Sequence, residues 1–464
     1  MRTISLLAGL AFVAWVLSAC TSAASRERSA FENATWEHVG AKLDESGPSG
    51  KEGANEPEQS LGGVLKLEDL IHQSELHSPR LAAAYMQWNA SVRGITVSTA
   101  VPDATFTYTE FIRSIETRLG PIERRFMLQQ RVPNPGKLVA REEQAAGKAG
   151  AMRANFEATR LGLRESLVLA YVDLQLLDAR IGIMNRLVDA LDSIAEVIEA
   201  RVTANLAPQS ALLRVQVELE RLRSDVQSLE KRRPAMAAAL SAVVGVKIAD
   251  DARTPALAVD KPMTLPDEAK MTALVIDHPS VQEQFAHVAI ARAKVNESGW
   301  MWVPDFMFGF EYQMVGKPDI PKAMLPDEYG EDAVAVSVGL TIPWQVHVNL
   351  ARGDIARAEE SAARFLVEQK RLDLKAKLAG QEYAYLDAAR LIELYDNTVL
   401  PKARQTLELV QNDFTADRAN LTDVLDAERA LLASELSLVN ARADLLKARA
   451  RLESLVARDL GTIK

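Results

Sequence analysis

The most restrictive feature of this sequence is an internal duplication. In each half of the chain a proline-led helical pattern is followed by a Pro-Asp pair, at Pro102-Asp103 and at Pro304-Asp305. Each Pro-Asp pair introduces two strand-like segments, which end at a proline and open into a long helical pattern. A unit of about 200 residues is far longer than the repeats of solenoid proteins. We therefore expect two copies of one unit, with each feature performing the same task twice.

The duplication sets the expected domain boundaries. Turn-rich polar residues precede the first copy, and a proline-containing stretch separates the two copies, as is typical of tethers and linkers. The predicted segments are a signal peptide over 1–19, an extended tether over 20–63, a first repeat over 64–248, a linker over 249–270 and a second repeat over 271–464.

Four short segments alternate between apolar and small or polar residues. In "DAVAVSVGLTI" the residues Val334, Val336 and Val338 fall on one face, and Ser337 and Gly339 fall on the other. A period of two over about 9–11 residues matches the dimensions of a transmembrane β-strand. The alternative is a pair of half-buried hairpins packed on helices. Strands are expected at about 104–112, 124–132, 305–315 and 332–342.

The need to pair every strand N–H and C=O in lipid then constrains the assembly. After the N-terminal leader no apolar stretch reaches the ~18 residues of a membrane helix, so any crossing must use strands. In lipid only a closed barrel satisfies strand backbones, and the smallest single-chain barrels have about eight strands. This chain offers four predicted strands, so several copies would have to share one barrel.

The rest of each repeat is strongly helical. A helix over 137–201 would reach roughly 95 Å at the usual rise per residue, longer than a compact domain needs. Near the C-terminus apolar residues recur every seven positions in two adjacent stripes, which predicts contacts on two flanks of one helix. A plain antiparallel bundle is the alternative. Long helices are expected over 137–201, 209–245, 348–400 and 402–460, with Val424, Leu431, Leu438, Leu445 and Leu452 forming the first stripe.

The only cysteine, Cys20, follows an apolar run that has the length of a signal-peptide core. Leu17-Ser18-Ala19-Cys20 resembles the lipobox of bacterial lipoproteins, which implies cleavage before Cys20 and a covalent N-terminal lipid on its thiol. Thr21 is not the aspartate of an inner-membrane retention signal, so the outer membrane is favoured. The alternative is an ordinary cleaved signal with an incidental cysteine.

Composition excludes several function classes. A formal net charge of −9 is unsuited to nucleic-acid binding, and no phosphate loop, Gly-x-Ser-x-Gly or His-Glu-x-x-His motif points to an enzyme. No metal site can be named, because the six histidines are scattered without ligand spacing.

These features together resemble the TolC-like outer-membrane efflux proteins, in their lipid-anchored branch. The sharpest local match is "ANLTDVLDAERALLASEL" from Ala419, and a looser first-copy counterpart, "ANLAPQSALLRVQVELERL", begins at Ala204. The resemblance implies a mostly α fold with a small β part. It also implies a homotrimer whose twelve-stranded outer-membrane β-barrel continues into a periplasmic α-helical barrel. The expected partners are a periplasmic adaptor protein, an inner-membrane pump of the resistance-nodulation-division type and outer-membrane lipid, and no cofactor is expected beyond the lipid on Cys20.

The resemblance also assigns candidate site residues. The turns between long helices would dock the adaptor and form the gate, and nearby acids would line the pore or cap helices. The turn residues are Thr203, Ala204, Asn205, Leu206, Ala416, Asp417, Asn420, Leu421, Thr422 and Asp423, and the possible pore-lining acids are Glu408 and Asp413. The turns of the family usually carry a glycine; here Asn205 and Asp417 stand nearby instead, and both residue types tolerate positive φ.

The transported substrate is left open by the sequence. "RVPNPGK" (Arg131–Lys137) breaks the strand and redirects the chain, and it also resembles the junction of members paired with heavy-metal efflux pumps. Drugs and metal cations are both candidate substrates. Two alternatives to efflux are the channel of a type I protein-secretion system and a periplasmic coiled-coil scaffold lipoprotein that forms no channel.

Overall fold

The structure is a computed structural model that describes residues 22–34, 60–117, 120–258, 262–316, 330–416 and 418–462. Its helices are α1 (Ser22–Asn33), α2 (Leu67–His77), α3 (Pro79–Ser98), α4 (Pro135–Thr203), α5 (Gln209–Val244), α6 (Glu268–Val275), α7 (Pro279–Trp300), α8 (Val346–Leu394), α9 (Leu400–Thr415) and α10 (Leu421–Val456). Its strands are β1 (Ser60–Leu61), β2 (Thr105–Thr117), β3 (Gly120–Val132), β4 (Lys247–Ile248), β5 (Phe306–Val315) and β6 (Ala333–Leu340). Within these ranges no helix is both long and apolar enough to cross a membrane.

The chain divides into two units. The first, here called the sheet unit, comprises the described residues of 1–35, 86–153 and 283–368. The second, here called the helix unit, comprises those of 36–85, 154–282 and 369–464.

A four-stranded antiparallel sheet forms the centre of the sheet unit. Its strand order is β2-β3-β5-β6, so the first hairpin lies beside the second through the pair β3–β5. Val132 at the end of β3 lies opposite Phe306 at the start of β5. The strands of the first hairpin, at 13 residues each, are longer than the nine-residue segments expected from alternation. A register shift between Glu110 and Ile115 in β2 explains why alternation stops before the strand does, because a bulge changes which face a residue occupies.

The segment after Cys20 differs from the extended tether that we expected over 20–63. Residues 22–33 form α1, and the chain over 35–59 lies outside the described residues. Ala24 and Phe31 are seven positions apart and therefore share a helix face. Ala24 is fully buried, and the ring of Phe31 packs edge-on against Trp88 of α3 at 5.1 Å. Glu27 adds an ion pair with Arg153 of α4 at 3.3 Å. The polar composition of 20–63 as a whole concealed this short amphipathic helix.

The predicted helix boundary at Pro401 is also wrong. Instead of helices over 348–400 and 402–460, the chain stays helical from Val346 to Thr415 and breaks after it. Proline lacks an N–H and its ring clashes with the carbonyl four residues earlier. Here a π-helical turn over Tyr395–Val399 precedes Pro401, which occupies the first turn of α9. The wider turn accommodates the proline without ending the helical path.

The last helix packs on two flanks, as its double heptad stripe predicts. In the helix unit, Leu438, Leu445 and Leu452 of α10 are buried in one cluster with Tyr385 of α8. Leu425 belongs to a second cluster with residues of α4 and α5, including Leu191 and Leu219. Both stripes are therefore covered within this one chain.

A buried histidine lies at the start of α7. His278 is 8% exposed, and its Nδ1 lies 2.8 Å from the hydroxyl of Ser280. Burial lowers the pKa of His278 below its ordinary value, and the nearby charges of Lys370 and Lys377 lower it further, although the backbone of Ser454 opposes the shift. The helix unit therefore favours the neutral imidazole.

Candidate membrane sheet and helix-turn sites

One face of the sheet is apolar and open. Phe126 lies at its middle, with the rings of Tyr108, Tyr312 and Phe106 at 5.3, 6.2 and 6.5 Å. Val336 of β6 is 78% exposed, which is unusual for so large an apolar residue in a regular strand. The apolar side chains of this face are Phe106, Tyr108, Phe126, Leu128, Phe306, Phe308, Phe310, Tyr312, Val334, Val336, Val338 and Leu340, and the register also places Gln130, Glu110 and Arg124 on it.

The opposite face is mostly polar or small, with Met127 and Met307 as large apolar side chains on it. Thr105, Thr107, Gln129, Gly309, Ala335, Ser337 and Gly339 lie there by register. In its middle the Nε of Arg125 lies 3.0 Å from a carboxylate oxygen of Glu311, and the guanidinium stands 5.5 Å from the ring of Phe111. This division into two faces is the pattern of a strand with lipid on one side and water on the other.

In the part of the chain that the structure describes, the two outer edges of this sheet have no further strand beside them. β2 and β6 each have one strand neighbour among the described residues, on the side of β3 and of β5 respectively. Exposed edges offer unpaired N–H and C=O groups that can continue the sheet with another chain. The open edges and the apolar face belong to the same four strands.

A buried ion pair joins the two repeats where the sheet meets the helices. Asp305, which precedes β5, accepts hydrogen bonds from Lys137 Nζ at 2.7 Å, from the backbone N–H of Asn134 at 3.0 Å and from Arg131 Nη2 at 3.0 Å. Asp305 and Lys137 are 6% and 7% exposed. Burial opposes ionisation of the Asp305 carboxyl, but these donors outweigh it and lower its pKa. The Pro-Asn-Pro-Gly-Lys segment therefore places a specific donor set as well as redirecting the chain.

The first predicted helix turn follows α4 in the helix unit. Asn205 has a positive φ of 59°, as its residue type suggested, and the N–H of Leu206 donates to the carbonyl of Arg201 at 2.8 Å. Thr203 ends α4, Ala204 and Asn205 form the turn, and Leu206 is 77% exposed. The turn therefore presents a large apolar side chain to solvent.

Two acidic side chains of the second turn stabilise it through a helix cap and an ion pair. Asn420 and Asp423 form a capping box, in which the Asn420 side chain accepts from the Asp423 N–H and Asp423 Oδ2 accepts from the Asn420 N–H at 3.0 Å. Asp413 pairs with Arg418 at 2.8 Å. Both carboxylates thus have structural tasks in this turn, and Glu408 is exposed on α9.

The two turns are brought together within the helix unit. Arg201 near the end of α4 stacks over the ring of Phe414 at 4.8 Å. Arg214 of α5 donates to the Thr422 hydroxyl at 2.9 Å, one residue after Leu421 begins α10. Ala416 follows α9 in the second turn. Residues that are far apart in sequence therefore form one contiguous end of the helix unit.

One acid close to these turns is buried. Glu428 of α10 is 5% exposed, and Gln411 Nε2 donates to its carboxylate at 3.2 Å. Burial raises the pKa of Glu428, and the charge of Glu435 adds to the rise, while the hydrogen bond from Gln411 opposes it.

Cys20 and Asp417 lie outside the described residues. Within the part of the chain that the structure describes, no group of three or more His, Cys, Asp or Glu could hold a metal ion. The donors around Asp305 and the Arg125–Glu311 pair were not predicted from the sequence. The repeated Pro-Asp motif was a signal for the first, but nothing local in the sequence pointed to the second.

Comparison with known proteins gives this arrangement a context. Residues 273–458 match the family model described as outer membrane efflux protein. A search of the curated proteins found no match.

Solved structures share the fold at low sequence identity. A membrane protein from Pseudomonas aeruginosa is 14% identical with a TM-score of 0.71, over 84% of this chain and 93% of that one. The outer membrane protein VceC from Vibrio cholerae is 18% identical with a TM-score of 0.68, over 85% of this chain and 96% of that one. The Campylobacter jejuni CmeC outer membrane channel is 12% identical with a TM-score of 0.69, over 87% and 90%.

Proposed function

We propose that the chain, whose residues 273–458 match the outer membrane efflux protein family, is the outer-membrane channel of a tripartite efflux system. Three copies would each contribute four strands to one twelve-stranded barrel. The channel would pass small toxic substrates, drugs or metal cations, from the periplasm to the exterior. The single observation that carries the proposal is the two-faced sheet with open edges at β2 and β6.

The physical argument starts from the exposed apolar face. Valines that are exposed in the single chain, such as Val336, are unfavourable in water and favourable in lipid. Lipid then requires every strand N–H and C=O to be paired, which the outer edges of β2 and β6 achieve only against further strands. Copies of the same chain supply those strands, and the twelve strands of three copies exceed the about eight of the smallest single-chain barrels.

The helix turns take the docking role in this proposal. The contiguous end formed by the two turns presents the exposed Leu206, which suits an apolar contact with the tip of a periplasmic adaptor. The turn and gate roles cover Thr203, Ala204, Asn205, Leu206, Ala416, Asp417, Asn420, Leu421, Thr422 and Asp423. An inner-membrane pump of the resistance-nodulation-division type would supply energy through the adaptor.

The same turns limit which acids can line the pore. Asp413 is paired with Arg418 and Asp423 is engaged in the helix cap, so Glu408 is the freer candidate of the group. Cys20 would carry the lipid and address the protein to the outer membrane.

Two measurements on the purified, detergent-solubilised protein test the proposal. We expect the mass of a trimer and stepwise conductance across a planar lipid bilayer. A monomer without conductance would refute the channel and favour the scaffold alternative. For the anchor, Cys20→Ala should abolish incorporation of labelled fatty acid, and the variant should still trimerise because the strands insert it.

A further inference from the structure

The two hairpins of the sheet are equivalent in register as well as in sequence. Thr105 lies opposite Gln129 in the first hairpin, and Met307 lies opposite Gly339 in the second. Thr105 and Met307 each stand two positions after the aspartate of a Pro-Asp pair, and Gln129 and Gly339 each stand four positions before the proline that ends the hairpin. The repeats can therefore be matched residue by residue around the sheet.

This matching identifies counterparts for the buried ion pair. Asp305 follows Pro304, and its counterpart after Pro102 is Asp103. Lys137 lies in the first turn of α4, four positions after the proline that ends the first hairpin, and His347 lies in the first turn of α8, four positions after Pro343. Because α8 begins one position later relative to its proline than α4 does, this match is of the helix turn and not of the exact helix position. Asp305 and Lys137 meet because β3 and β5 are neighbours inside one chain.

The counterparts lie at the two open edges of the sheet. Asp103 precedes β2, and His347 lies in the first turn of α8, after β6. Both residues are exposed in the single chain, whereas Asp305 and Lys137 are buried. A carboxylate and an imidazole are complementary, because the imidazole offers an N–H donor in either protonation state.

We propose that Asp103 of one copy and His347 of the neighbouring copy form the intermolecular counterpart of the Asp305–Lys137 pair. The proposal rests on the assembly of copies proposed above, in which β6 of one copy adjoins β2 of the next. Each copy is incomplete at both edges, and each edge supplies one half of the pair. The site thus fixes the register between copies at the base of the sheet.

Crosslinking tests the pair directly. The double variant Asp103→Cys with His347→Cys is treated in membranes with a short bis-maleimide, and the mass of the untreated protein is measured in detergent. We expect covalent dimers and trimers on denaturing gels from the double variant. Each single variant should remain monomeric on the same gel, which also excludes links through Cys20.

A matched control keeps the result interpretable. Thr105→Cys with Gln129→Cys places two thiols on neighbouring strands of one chain at the same end of the sheet, where facing Cβ atoms are about 5 Å apart. This pair should link within one chain, as peptide mass analysis detects. A trimer whose Asp103/His347 variant stays unlinked, while the control links, overturns the proposed pair and leaves the channel standing. A monomer overturns both.

Conservative variants provide a second readout. His347→Lys reproduces the intrachain pair and should raise the temperature at which trimers dissociate in detergent, whereas Asp103→Asn should lower it. When Asp103→Asn is combined with His347→Lys, the rise in dissociation temperature produced by His347→Lys alone should disappear. If the rise persists in the combined variant, the proposed pair is wrong.

Discussion

The buried pair at Asp305 allows a graded prediction about stability. Asp305→Asn removes the charge that balances Lys137, which is 7% exposed, and leaves a buried ammonium without a counter-ion. Breaking a buried pair from one side costs about 3–5 kcal/mol of unfolding free energy. Lys137→Met should cost less, about 2 kcal/mol, because Arg131 and the backbone N–H of Asn134 still donate to the carboxylate.

Arg131 provides the matched control for this series. Its side chain is 56% exposed, so Arg131→Met should cost about 0–1 kcal/mol although it removes a contact with the same carboxylate. The assay is chemical denaturation of the detergent-solubilised protein at one fixed concentration, followed by tryptophan fluorescence. A cost below about 1 kcal/mol for Asp305→Asn, or an equal cost for Arg131→Met and Lys137→Met, would contradict the assigned strengths of these contacts.

The stability difference between wild type and Asp305→Asn should depend on pH in one direction. The pKa of Asp305 is lowered below its ordinary 3.8 by its donors, so folding favours the ionised form. The stabilisation is fully present above about pH 3.8 and is lost as the pH falls through the lowered pKa of the folded state. The difference between wild type and Asp305→Asn should therefore stay constant from pH 7 to about pH 4 and shrink only below it.

Three further predictions concern other parts of the structure. Val336→Lys on the apolar face should destabilise membrane insertion by about 2–4 kcal/mol if the residue lies near mid-bilayer, whereas Ser337→Lys on the polar face should cost far less. Folding of the two variants into lipid vesicles measures these costs, and equal costs would contradict the assignment of faces. Because burial lowers the pKa of His278, wild type should lose stability relative to His278→Gln as the pH falls below about 6.5, in thermal melts from pH 8 to 5, and parallel melting curves would contradict this. The pKa of Glu428 is raised, so Glu428→Gln should raise the melting temperature at pH 7 by a few degrees and the gain should vanish near pH 4; a loss at pH 7 would show that Gln411 requires the carboxylate.

The parts of the fold that repeat a period were predictable from the sequence. The alternation around Val336 and the heptads through Leu445 each reflect one face of one element, which local spacing encodes. The positive φ of Asn205 was predictable for the same local reason, since few residue types tolerate it. The structure agrees with all three.

The parts that depend on distant residues were not predictable. Pro401 was expected to end a helix, and only the π-helical turn before it removes that need. The ion pair between Arg125 and Glu311 depends on the register of β3 against β5, which a difference of one position would abolish. The helix α1 escaped notice because its few apolar positions gain meaning only from Trp88, far along the chain.

The packing of α1 limits how a lipid on Cys20 could be used. Two positions separate Cys20 from Ser22, where α1 begins, and a fully extended chain covers at most about 7 Å over that span. The acyl group would then enter its leaflet at a height set by the contacts of Phe31 and Glu27 with α3 and α4. Such an attachment would fix the height of the bilayer surface relative to α3 and α4. Flexible residues inserted before Ser22 would remove this constraint on the height and would leave the lipid in place.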